Sequence, residues 1–280
     1  MQAAAIVGMV SILSACSSWL FYPEKTLVIN KDLTSYHIDS LQISMSDGVQ
    51  LNAWRMPHRK GNLKGAVLFF HGNSGNISKH ARQVYWLPDY GYDVVLVDYR
   101  GFGLSDGSAN LDKNIADIKE VSFWFSRQYE KEFPKYIIAH SLGASMSGYV
   151  LAKNKALRQD FDAVVLYAAF SDYREIMRNV LSKVWMLDLL KYPTSLGMPN
   201  QYSLIKVVED ISPTPLLIVH GTKDPVVPYQ HAVDLHDKAA VPKSFLSFEG
   251  NHLNAFDDVS RRQYIVNFLQ ASSISSSTTQ

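Results

Sequence analysis

The stretch Lys135-Tyr136-Ile137-Ile138-Ala139-His140-Ser141-Leu142-Gly143 runs an apolar, strand-like segment straight into a corner of small residues and then into a helix-forming segment. A serine at such a corner sits on strained backbone, and only small neighbours permit the turn because chain segments approach closely there. The pattern is G-x-S-x-G with Ala139 in place of the first glycine. Alone, these residues support two readings: Ser141 as an exposed nucleophile, or Ser141 as a helix N-cap.

Outward from this corner, from His37 onward, short runs rich in β-branched and aromatic residues alternate with segments of helical period. Such alternation predicts an α/β fold with a mostly parallel sheet and crossover helices. Eight strands are expected. Leu41–Met45 and Leu51–Met56 form a hairpin about Ser46-Asp47-Gly48, followed by Ala66–Phe70, Asp93–Val97, Tyr136–Ala139, Ala163–Tyr167, Leu216–Val219 and Phe245–Phe248. Helical segments fall near Ile77–Leu87, Leu111–Tyr129, Leu142–Lys153, Tyr229–Lys238 and Val259–Leu269. Residues 171–205 break the alternation and read as a helical insertion, while 271–280 reads as a disordered Ser/Thr tail.

Composition narrows the function. Lys and Arg number 27 against 26 Asp and Glu, a net charge of +1 with no long run of either sign, which argues against a nucleic-acid partner. The single cysteine, Cys16, excludes an intramolecular disulfide framework and a Cys-based zinc or iron–sulfur site within the chain. His231 and His236 are five apart on an expected helix and point in different directions, so no metal pair is expected.

Two further segments give Ser141 partners. Asp224, in His220-Gly221-Thr222-Lys223-Asp224-Pro225, follows the strand Leu216–Val219; His252, in Glu249-Gly250-Asn251-His252, follows Phe245–Phe248. Each falls in a loop at the carboxyl end of a different strand, where open parallel sheets place their sites, and the chain order is Ser, Asp, His. The Gly-containing loop His71-Gly72-Asn73-Ser74-Gly75-Asn76 precedes a helical segment and offers free N–H groups to an anion. The backbone N–H groups of Leu142 and Asn73 are the expected oxyanion donors.

With these elements and Asp98-Tyr99-Arg100-Gly101-Phe102-Gly103-Leu104-Ser105, the sequence resembles the α/β-hydrolase superfamily from about Leu41 to Leu269. The H-G-N-x-G-N and D-Y-R-G-x-G runs look most like the branch of depalmitoylating acyl-protein thioesterases and related lipid esterases. The resemblance implies a serine hydrolase acting on carboxylic esters or thioesters through an acyl-enzyme, without cofactor or metal. Ser141 would be the nucleophile, His252 the base and Asp224 its orienter. Asp172 is a rival acid, read instead as the N-cap of its helix with Glu175 three residues on. A peptidase of the same fold and a catalytically idle binding lipoprotein are the alternative functions.

In the insertion, Ile176, Val180 and Val184 form one helical row with Met177, Leu181 and Trp185 beside it. The row reads either as a helix packed on the sheet or as a lid offering an acyl chain an apolar trough. At the other end, Met1–Ala15 is apolar and uncharged, too short to span a bilayer, and closes on Leu13-Ser14-Ala15-Cys16. That closure resembles a bacterial lipobox. Residues 1–15 are therefore expected to be a lipoprotein signal peptide, Cys16 the lipid attachment and 16–36 a linker to a hydrolase domain at 37–270. The resemblance implies a membrane partner through that anchor and a place in the cell envelope. Ser17 after Cys16 resembles the outer-membrane sorting pattern, which would face the enzyme to the periplasm in a Gram-negative host.

Overall fold

The computed structural model describes residues 20–28, 31–183 and 186–277, the last four of these by backbone alone. Residues 1–15, Cys16, Val184 and Trp185 lie outside the described residues. The strands are β1 (Tyr22–Pro23), β2 (Asp39–Ser44), β3 (Gln50–Met56), β4 (Gly65–Phe70), β5 (Ser74–Gly75), β6 (Tyr92–Val97), β7 (Lys135–His140), β8 (Ala163–Tyr167), β9 (Leu216–Gly221) and β10 (Lys243–Phe248). Eight of them form one sheet in the order β10-β9-β8-β7-β4-β6-β3-β2, parallel except where β3 pairs with β2 and β6. β1 and β5 form a separate parallel pair.

Every residue of β4, β6, β7, β8 and β9 is buried, which is why these strands read as unbroken apolar runs. β2 lies at the edge and alternates exposed with covered positions. The helices are α1 (Ile77–His80), α2 (Leu111–Ser126), α3 (Leu142–Lys153), α4 (Lys155–Asp160), α5 (Tyr173–Ser182), α6 (Lys191–Leu196), α7 (Gln230–Lys238) and α8 (Val259–Ser277). They and the loops cover both faces of the sheet, giving two apolar layers: Leu68, Ile137 and Leu166 lie in one, Val67, Ile138 and Val165 in the other. This is the α/β-hydrolase fold with a helical insertion after β8.

Three expectations need correction. Residues 20–28 and 31–36 are not a loose linker: Phe21 and Leu33 are buried, and Phe21 meets the Phe102 ring edge-on at 6.3 Å. Apolar and aromatic side chains in this stretch gain more from the core than from solvent. The C-terminal tail is helical further than expected, since α8 runs on through Ser277. Ser272 is accommodated by the helix itself, its Oγ donating to the Phe268 carbonyl at 2.9 Å. Third, the helix expected over Ile77–Leu87 is broken into α1 and short 3-10 turns, the last containing Pro88 and ending at Gly91 with φ 95°.

Candidate active site

β7 delivers Ser141 to the corner between strand and helix. Its φ of 54° and ψ of −119° lie where a non-glycine residue is strained, and its N–H continues the ladder to the Tyr167 carbonyl at 2.8 Å. A Cβ on Gly143 would stand 2.3 Å from the His71 carbonyl oxygen and 2.5 Å from Tyr99 Oη, so only glycine fits there. Ala139, by contrast, lies within β7 without a positive φ, which explains why alanine serves in place of the usual glycine. The Ser141 side chain makes no capping bond to α3. The N-cap reading of this serine therefore has no support in the geometry.

The loop after β10 brings His252 to the loop after β9, and His252 Nδ1 lies 2.7 Å from Asp224 Oδ2. The Asp224 side chain is fully covered. Its Oδ1 accepts from the backbone N–H groups of Val226 (2.7 Å) and Val227 (2.9 Å), and His220 Nε2 stands 3.4 Å from Oδ2. Burial opposes ionisation of Asp224, but the contacts with His220 and His252, the His252 charge and the Val227 N–H outweigh it, holding the carboxyl well below the usual range. The Val227 carbonyl engages His220 Nε2 at 3.0 Å, which fixes that ring in turn.

His252 is also held from behind. Its carbonyl oxygen accepts from His140 Nε2 at 3.1 Å and from Tyr167 Oη, and the His140 and His252 rings lie 4.8 Å apart. Burial, with the neighbouring His252 and His80, keeps His140 well below the usual histidine pKa and hence neutral. Neither the Ser141 hydroxyl nor His252 Nε2 has a hydrogen-bond partner among the described residues.

The loop after β4 forms the opposite wall. The Asn73 carbonyl accepts from the Tyr22 N–H at 2.7 Å, and Asn76 Nδ2 donates to the carbonyls of Glu24 and Thr26, both at 2.9 Å, so the N-terminal segment fastens this loop. Asp98 braces it from below, accepting from the Ile77 N–H (2.8 Å) and Asn52 Nδ2 (2.9 Å). Gly103, with φ 47°, gives Asp98 the room: a Cβ there would overlap Oδ2 at 2.0 Å. Arg100 is bound to Asp117 through its Nε at 2.6 Å and to Asp47 at 3.0 Å, away from the cavity.

Ser141, Leu142 and Asn73 line one cavity of about 250 Å³, whose remaining wall is apolar: Ile176, Met177, Val180 and Leu181 of α5, with Phe170, Leu20, Tyr22, Val226 and Val227. Asp172 caps α5, its Oδ1 accepting from the N–H groups of Arg174 (2.8 Å) and Glu175 (2.9 Å). A larger polar hollow of about 560 Å³, lined by Arg174, Arg178 and Lys191 among others, contains neither Ser141 nor His252. His231 is buried between Ser171 Oγ (2.7 Å from Nδ1) and Asn179 Nδ2 (3.1 Å from Nε2), pinning α5 to α7. Among the described residues no group of His, Cys, Asp or Glu could hold a metal ion.

The structure places Ser141, Leu142 and Asn73 on one cavity and sets His252 against Asp224; sequence reasoning named these five and did not single out His140, Tyr167, His220 or the Leu20–Tyr22 wall. His140 and His220 stand inside the quoted motifs and were open to notice. Nothing local to Tyr167, which closes an apolar strand, signals a contact 85 residues away.

Comparison with known proteins agrees with this architecture. The YfhR protein of Escherichia coli O157:H7 is 28% identical over 239 residues, 82% of this chain and 80% of that protein. The lysophosphatidylserine lipase ABHD12 of Macaca fascicularis is 31% identical over 206 residues, 71% of this chain and 52% of that longer protein. Among solved structures, the Pyrococcus furiosus esterase Pf2001 superposes with a TM-score of 0.70, covering 90% of this chain and 97% of its own, at 19% identity. That likeness is one of fold. Residues 61–211 match the family described as serine aminopeptidase, S33. With over half its length inside that match and the eight-stranded sheet to accompany it, the chain belongs to the S33 serine aminopeptidase family of α/β-hydrolases.

Proposed function

We propose that this hydrolase cleaves carboxylic esters or thioesters of acyl chains through an acyl-enzyme on Ser141. The observation that carries the reading is the uncapped Ser141 hydroxyl on a strained corner in an apolar cavity, with a buried carboxylate 2.7 Å from the imidazole of His252. An unassisted serine hydroxyl is a weak nucleophile. His252 Nε2 takes its proton as Oγ attacks the acyl carbonyl, and Asp224 keeps Nδ1–H directed to itself, leaving Nε2 the basic nitrogen. The N–H groups of Leu142 and Asn73 receive the developing oxyanion. The imidazolium then protonates the departing alkoxide or thiolate, and a water activated by the same histidine releases the acid.

The acyl preference follows from the cavity. Its volume is below the roughly 300–1,000 Å³ typical of small-molecule sites, which suits one acyl chain. The family description names a peptidase, but an aminopeptidase must hold a substrate ammonium, and among the described residues no carboxylate lines this cavity. The lipase activity named for ABHD12 favours the same ester reading. Within this proposal the chain is a lipoprotein of the cell envelope, anchored through Cys16.

A fluorophosphonate probe tests the chemistry: wild type labels and Ser141→Ala does not. An unlabelled wild type would instead mark a binding protein. A p-nitrophenyl ester series tests the cavity, with medium and long chains turned over faster than acetyl; equal rates contradict the acyl assignment. The anchor is tested by Cys16→Ala, which should no longer be processed or carry lipid.

A further inference from the structure

The segment that follows α5 turns apolar side chains outward. Leu189 is 87% exposed and Met186 66%, and Leu190, Tyr192 and Leu196 are each at least half exposed. Single exposed leucines are ordinary on a protein surface; five such residues in one short segment mark an interaction face. The face follows directly on α5, whose Val180 and Leu181 line the Ser141 cavity. Val180 and Val226 both line that cavity and stand nearly half exposed, and Lys183 Nζ bonds the carbonyl of Pro225, closing the last turn of α5 onto that rim.

Charge and chain path indicate what covers it. The one acid between Lys183 and Leu196 is Asp188, paired with Lys191 at 2.8 Å, so the segment itself carries no unbalanced negative charge, while Asp172 and Glu175 lie in the polar hollow beside Lys191 and Tyr192. Lys183 and Lys191 bracket Met186, Leu189 and Leu190, and Tyr192 lies beneath the cations of Arg178 and Lys191. Apolar side chains bordered by lysine and tyrosine match the boundary between lipid headgroups and acyl chains. The described chain starts at Leu20 in the cavity wall, and the residues before it include Cys16 and the uncharged run Met1–Ala15. Four residues reach at most about 14 Å. A bilayer that holds either the apolar run or an acylated Cys16 therefore lies close to the cavity mouth.

We propose that the face formed by residues 186–196, with Val180 and Val226, docks on a lipid bilayer and turns the Ser141 cavity toward it. Entry of an acyl chain from the lipid side rests on the esterase reading above; the docking itself does not. A second copy of the chain, or its own N-terminal run, is the competing occupant.

The test uses full-length Leu189→Trp reconstituted in phosphatidylcholine–phosphatidylglycerol vesicles with brominated acyl chains. Val241→Trp is the control, an exposed apolar position ahead of β10, at the end of the sheet opposite His252. Docking gives a blue-shifted, quenched emission at position 189 and an unquenched one at 241. An unquenched 189, or one already shielded before vesicles are added, overturns the proposal; shielding that grows with protein concentration identifies a second copy. In a second arm, Leu189→Asp combined with Leu190→Asp lowers hydrolysis of a vesicle-borne ester about tenfold or more while sparing a water-soluble short-chain ester. Unchanged vesicle hydrolysis counts against docking. A wild type inactive on the soluble ester strikes the esterase reading alone and leaves the quenching result intact.

Discussion

His140 Nε2 donates to the main-chain oxygen of His252 across 3.1 Å, so the residue just before the corner serine grips the loop that carries the imidazole. Because Nε2 is the donor, His140 is the Nε2–H tautomer, and its Nδ1 is left as the acceptor that faces Gln83 Nε2 at 3.4 Å.

Tyr167 Oη donates to the same oxygen, and removing it leaves His140 as the only side-chain donor there among the described residues. A hydrogen bond of this kind contributes about 0.5–1.5 kcal/mol. Tyr167→Phe is expected to lower kcat about threefold to tenfold with KM nearly unchanged, measured on a soluble ester. A change confined to KM would separate this contact from positioning of the imidazole.

Asp224 and Asp172 should part cleanly. Asp224→Asn preserves shape but loses control of the His252 tautomer, and turnover should fall on the order of 10⁴. Asp172→Ala removes a helix cap and should cost about 1 kcal/mol in stability with turnover retained. Kinetics and urea denaturation of the two variants decide this, and a dead Asp172→Ala beside an active Asp224→Asn would reverse the assignment.

Acid should destabilise the fold well above the range of ordinary carboxylates. Burial lowers His80 to about 3 and His231 to about 4, and pushes His140 well down, so all three are folded in their neutral form. Their folded pKa values lie below the unfolded value near 6.5. Their contribution is thus complete above about pH 6.5 and is lost as pH falls toward 4 and below, by up to about 1.4 kcal/mol per pH unit for each group. The lowered Asp224 acts in the same direction but only below about pH 4. Thermal melts between pH 7.5 and 4 should show Tm falling from near pH 6.5; a flat profile down to pH 4.5 would contradict neutral burial of the histidines.

Glycines with and without room should behave differently. Gly143→Ala drives a Cβ into the His71 carbonyl and Tyr99, and no flexible side-chain tip is there to yield on the backbone side. The loss of stability should exceed about 3 kcal/mol, with little soluble protein recovered. Gly48 has φ 85° but open space around it, so Gly48→Ala should cost only about 1 kcal/mol in urea denaturation.

The strands were legible because burial on both faces leaves a run such as Val67–Phe70 or Ile137–Ala139 no alternative to an unbroken apolar reading. The proposed reacting residues were legible because a strained corner and two loop ends carry their own local signatures. Long-range supports left no such trace: Tyr167 reads as one more core aromatic until its hydroxyl meets the His252 carbonyl. The packing of residues 20–28 and 31–36 was hidden for a related reason, since two residues of β1 pairing with two of β5 are too few to produce a periodic pattern. The extent of α8 was hidden because serine favours turns in isolation, yet can satisfy its hydroxyl on its own helix, as Ser272 does.

The pairing of Tyr22–Pro23 with Ser74–Gly75 has a practical corollary for anyone preparing this protein. Trimming the N-terminal segment past residue 24, or fusing a bulky tag there, would unclasp the turn that bears Asn73, and a silent preparation could then be mistaken for an inert protein. An affinity handle belongs after Gln280, at the far end of the chain from that clasp.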